Sequence, residues 1–209
     1  MAAGDLTTLA EVRAFLRLSD PSQTDMDTLL TALITQASAA IKRYTMREFT
    51  ATASGTARKF RYFGGGTLWF HSEGPYDLQS ASSVTIDSET ASPQTLTVDE
   101  DYFLVPRNAP LGVYEGMELR NLAPYGRSSA NDYRPWRQVT VTGTWGMASV
   151  PDDVELACQM QVAYLYRQHS TVPGRDLGGE GERFGPMMWA PGVVQALSPY
   201  RVIGTGGRV

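Results

Sequence analysis

The 209-residue sequence holds one cysteine, Cys158, and two histidines, His71 and His169. A single cysteine excludes an internal disulfide framework and any multi-cysteine zinc site. The two histidines stand far apart and fall in no HExxH or other paired pattern, so a transition-metal centre is not expected. Lysine is scarce as well: only Lys42 and Lys59 interrupt an otherwise all-arginine set of basic residues. No apolar run approaches the ~20 residues that span a bilayer. The opening Met1–Asp5 has neither a basic nor an apolar stretch, so it does not read as a secretory leader. Walker and dinucleotide-binding spacings are missing too; the glycines of 179–185 miss the latter by one residue. The formal charge is −4. An acidic chain is poorly suited to gripping duplex DNA, which is held mainly through phosphate contacts from Lys and Arg.

What is present describes a folded globular chain, 42% hydrophobic, 10% aromatic and 19% charged. The first fifty residues read as helices. Thr8-Leu-Ala-Glu11 has the form of a capping box, and Leu9, Val12, Phe15 and Leu16 follow at helical spacing up to a stop at Ser19–Ser22. A second box at Thr24–Asp27 opens a longer helix. Its apolar stripe is Met26, Leu29, Leu30, Leu33, Ile34, Ala37, Ile41 and Tyr44, with Thr28, Gln36, Ser38, Lys42 and Arg43 on the other side. From 51 to 148 the pattern changes to short alternating runs at 58–63, 83–86, 94–98, 102–105, 116–120 and 138–145, which predict strands. The stretch 121–135 reads as a long polar loop. A third box at Ser149–Asp152, with Pro151 in the first turn, predicts a helix ending near His169. Residues 172–186 read as a glycine-rich linker, and Pro191–Pro199 as a last helix of two turns.

The organisation expected is therefore α+β. Residues 1–50 give two helices, 51–148 an inserted antiparallel β-rich segment, 149–170 a third bundle helix, and 171–209 a linker and docking arm. Chemistry is thinly represented. Cys158 falls on the apolar face of the third helix and reads as an inert buried thiol. His71 reads as a surface strand or turn residue, and His169 as a residue of a helix's last turn. Asp152, Asp153 and Glu155 suit a helix N-terminus, whereas Asp99, Glu100 and Asp101 read as a solvated turn. No catalytic, metal or cofactor-binding residue is assigned, and no cofactor is expected. Trp69, Phe70, Trp136 and Trp145 are expected in strands, with Trp145 in the core. The third helix is apolar on more than one face, which suits burial between other elements or between subunits and makes Leu156, Met160 and Tyr164 candidates for ring packing. The arm is too short to fold alone and gains its order by docking, on a partner, a neighbouring subunit or the chain's own core. Trp189, Val193, Val194, Leu197, Tyr200 and Arg201 are its candidate docking residues.

Several segments, in order, resemble the head-to-tail adaptor (connector) proteins of long-tailed bacteriophages. They are Leu9–Leu16, Asp27–Ile34, and Ala37–Phe49 with its aromatic-x-x-Arg-x-Phe exit at Tyr44, Arg47 and Phe49. Further along come Ser83–Asp87, Asp101–Leu104, Val139–Gly146, Val150–Val154 and the ending Val193–Arg201. The resemblance implies a helical bundle with a β insertion and no catalysis. It implies a ring, twelvefold in the virion, that assembles beneath the portal protein, extends the DNA channel without specific DNA binding, and receives the stopper or tail-completion protein. It places the chain in the virion neck, and in the host cytoplasm during assembly. The alternatives are another neck protein, such as a stopper or tail-completion protein, a carbohydrate- or receptor-binding β module, or a small hydrolase with converging carboxylates.

Overall fold

The computed structural model describes residues 4–18, 24–64, 66–87, 93–120, 136–170 and 189–202. The expected loop at 121–135 and the expected linker at 172–186 fall wholly outside the described residues. The chain forms two compact units, one from Met1–Thr45 with Val150–Arg201 and one centred on Met46–Ser149.

The first unit is helical. Helix α1 spans Leu9–Phe15 and carries the expected capping box: the Thr8 hydroxyl accepts the Glu11 N–H, and the Glu11 carboxylate accepts the Thr8 N–H at 2.7 Å. It ends earlier than expected, with Arg17 in the left-handed region at φ 56°. The expected stop at Ser19–Ser22 lies outside the described residues. Helix α2, Thr24–Thr45, buries Leu30, Leu33, Ile34, Ala37 and Ile41 as its stripe requires. Ser38, expected on the polar side, is instead buried, where its hydroxyl accepts the Leu6 N–H at 3.0 Å. Helix α3 spans Asp152–Ser170 and buries Val154, Ala157, Cys158 and Val162. Its start corrects the third expected box: Ser149 stands three residues before the helix, and Pro151 lies just outside the first turn. The Pro151 carbonyl accepts the N–H groups of Val154 and Glu155 there. The terminal helix α4 is shorter than expected, Val193–Leu197, followed by a 3₁₀ turn at Ser198–Tyr200. Gly192 precedes α4 at φ 83°, and that left-handed geometry delays the helix by two residues from Pro191.

The second unit contains two antiparallel sheets. Its strands are β1 (Thr56–Tyr62), β2 (Thr67–Trp69), β3 (Leu78–Ile86), β4 (Gln94–Leu96), β5 (Tyr102–Val105), β6 (Gly116–Leu119) and β7 (Arg137–Trp145). One sheet has the order β1-β7-β3-β4 and the other β2-β6-β5. Alternation along β7 sends Val139, Val141 and Trp145 inward, where they join Phe60, Phe70, Leu78, Val84, Ile86 and Met117. The Trp145 indole donates to the Thr56 carbonyl at 2.9 Å, so its polar edge is satisfied within the core. Gly143 of β7 lies so close to β3 that a Cβ would stand 2.0 Å from the Ser80 carbonyl oxygen. Two aromatics expected in strands lie just outside them: Phe70 begins a 3₁₀ turn, and Trp136 immediately precedes β7.

Candidate functional site

The terminal segment is seated on its own chain. Val193 and Leu197 are fully buried, and α4 packs against α3. Gln161 of α3 is also fully buried, and its side-chain carbonyl accepts the Ala190 N–H at 2.9 Å. Losing this partner would leave a buried amide with an unmet desolvation cost, so the bond fixes the segment's register. The Tyr200 hydroxyl donates to Asp153 at 2.7 Å. Burial, and then that bond, push the Tyr200 pKa up to about 12. Trp189 meets Tyr44 edge-on, with ring centroids 5.3 Å apart, and the Arg201 guanidinium stands 5.2 Å from the centre of the same tyrosine ring.

This geometry divides the expected docking residues. Val193, Leu197 and most of Tyr200 hold the segment to the first unit, so they are not offered to another molecule in this conformation. Val194 and Arg201 face solvent, and Trp189 is half-buried. Along α3, Leu156 is 48% exposed, the most open large hydrophobic among the described residues of that helix. Met160 and Tyr164 are half-buried.

A charged cluster that the sequence does not reveal lies in the second unit. The buried Arg47 forms ion pairs with Asp77, which has no solvent exposure, and with Glu115, which is 32% exposed. His71 joins them, with Nε2 3.2 Å from Asp77. The surface position expected for His71 is therefore corrected: the 3₁₀ turn at Phe70–Ser72 folds its side chain inward against Asp77. Arg58 stacks on Tyr76, 3.8 Å from the ring centre.

Other groups are quiet. Burial pushes the Cys158 thiol up to about 11, and Ser38 is its 3.6 Å neighbour, so the thiolate is scarce at neutral pH. The Asp101 carboxylate accepts the Thr97 N–H at 2.8 Å and shapes its turn. The side chain of His169 lies outside the described residues. Among the described residues no group of three or more His, Cys, Asp or Glu side chains could hold a metal ion, and no helix is long and apolar enough to cross a membrane.

Residues 6–63 match the family model described as phage gp6-like head-tail connector protein. The chain is similar to head-tail connectors. The match runs through α1, α2, the Arg47 exit and β1. Arg47 and Phe49 of that exit are both buried. Two solved chains share the fold. One, from the neck of an empty GTA particle computed with C6 symmetry, is 17% identical, with TM-score 0.61. The other, from the virion of a native gene transfer agent particle, is 18% identical, with TM-score 0.54. In both comparisons the alignment covers 100% of this chain and 95% of the other. No curated protein matches.

Proposed function

We propose that this chain is a structural neck protein, a connector joining the head and tail of a phage-like particle. The observation that carries the proposal is the connector match over 6–63 together with a whole-chain fold likeness to a chain from a particle neck. Its work is positioning rather than catalysis. In this reading copies form a ring under the portal protein, twelvefold as the connector resemblance implies, and present a platform to a stopper or tail-completion protein. A net charge of −4 suits a conduit through which DNA slides without being held. The chain belongs in the virion neck and waits in the host cytoplasm during assembly.

Within that assembly Leu156, Met160 and Tyr164 pack between subunits. The outward side of the terminal segment, Trp189, Val194 and Arg201, meets the portal or a neighbouring subunit. Removing the whole arm is a poor test, because Val193 and Leu197 belong to the chain's own core. Surface changes are cleaner. V194D and L156D place charges at exposed positions, so each is expected to keep the parent fold, which circular dichroism checks. The proposal expects each to lose co-sedimentation with portal rings; unaltered co-sedimentation of both would remove these faces from the account.

A further inference from the structure

The sheet formed by β2, β6 and β5 has two faces of different character. Leu68, Met117, Leu119 and Tyr102 point into the core. Their strand neighbours point the other way, and cross-strand pairing sets them in rows: Thr67, Glu118 and Phe103 in one, Trp69, Gly116 and Val105 in the next. Phe103 is only 8% exposed, yet it is not part of the core cluster. Two arginines cover it: the guanidinium carbons of Arg107 and Arg120 stand 4.0 and 4.1 Å from its ring centre. In the next row, a Cβ on Gly116 would stand 3.1 Å from the Trp69 ring, so the missing side chain lets that indole lie against the strand. Trp69 remains 36% exposed.

The two arginines stand in an acidic chain, in which carboxylates outnumber basic groups 22 to 18. Arg13, Arg47, Arg61 and Arg137 each have a carboxylate partner. Arg107 and Arg120 have none among the described residues, and both are exposed. The shared aromatic platform restrains both guanidiniums and leaves their N–H groups free to bind an anion.

We propose that this outer face is a docking surface for a carboxylate-bearing protein segment, with Arg107 and Arg120 taking the carboxylates and Trp69 the adjoining apolar contact. Tryptophan and arginine on one face are the usual anchors of a protein interface. A protein segment fits better than nucleic acid. Glu118 lies in the Phe103 row, and Asp99, Glu100 and Asp101 precede β5, so a continuous polyanion is repelled where discrete carboxylates are not. The surface stands on its own geometry, whether or not the chain serves in a particle neck.

The test uses the full chain at low salt, titrated with a short peptide carrying two glutamates separated by serines and, separately, a DNA duplex, while the arginine Nε–H signals are followed by NMR. The two-glutamate peptide is expected to shift the Arg107 and Arg120 signals. R107Q/R120Q is expected to weaken binding about tenfold or more, as the loss of two charge-assisted contacts implies. R43Q, at an exposed arginine without a platform, is expected to leave it unchanged. Unmoved Arg107 and Arg120 signals, binding that survives R107Q/R120Q, or tighter binding of the duplex would each overturn the proposal.

Discussion

Replacing Arg47 with Met tests the physical account of the connector-like exit from α2. Arg47 sits between Asp77, which has no solvent exposure, and Glu115, which is 32% exposed. Removing the cation leaves two carboxylates in unequal positions. Glu115 can turn to water, but Asp77 cannot. Its second oxygen already has no hydrogen-bond partner among the described residues, and His71 Nε2 stands 3.2 Å from its first. Removing one member of a buried pair costs about 3–5 kcal/mol, mostly because the other charge stays buried. Trp69, Trp136 and Trp145 all lie in the second unit, so tryptophan fluorescence during urea unfolding reports mainly on it. R47M should lose about 3–5 kcal/mol. R47M/D77L should recover most of that loss, since the orphaned charge is gone. A loss below about 1 kcal/mol in R47M, or no recovery in the double variant, would refute the reasoning.

Leu197→Ala should cost about 2–5 kcal/mol, because the side chain is fully buried against the helical unit, and should make the terminal segment an early protease target. Cys158 should react with a thiol reagent at pH near 8 only at the rate of unfolding, since burial pushes its pKa up to about 11. Glu155 is raised by burial first and then by Glu11 and Asp152, so the folded chain holds its proton more tightly than the unfolded chain. That contribution is present at low pH and lost as pH rises through the folded value, above the ordinary 4.5; E155Q should therefore flatten the fall in stability over that range. Glu11 has the opposite sign: bonds from Thr8 lower it, so its contribution is lost as pH falls, and T8A should reduce that loss. Urea midpoints measured across pH check both.

The helices are legible in the sequence because their apolar positions recur over many turns; the α2 stripe from Leu30 to Ile41 is the plainest case. Strand β2 is not, since Thr67–Trp69 is too short to show alternation, and the first half of β3 is too polar, Leu78-Gln-Ser-Ala-Ser-Ser83 being broken by two one-residue slips in its pairing with β7. Long-range pairing hides the rest. Arg47 stands 30 residues from Asp77 and 68 from Glu115 along the chain, and only the fold brings them together. The arm's aromatics signal a need to dock, but local pattern cannot say that Val193 and Leu197 are buried within the chain's own helical unit. Likewise Phe103 looks like any strand aromatic until the sheet places it outward beneath two arginines.

The central claim, a connector role in a particle neck, is tested most directly by mixing the purified chain with portal rings from the same source and averaging the particles by electron microscopy. The account predicts an added ring of density beneath the portal, absent when the chain is omitted. A portal that stays bare in the presence of folded chain would contradict it.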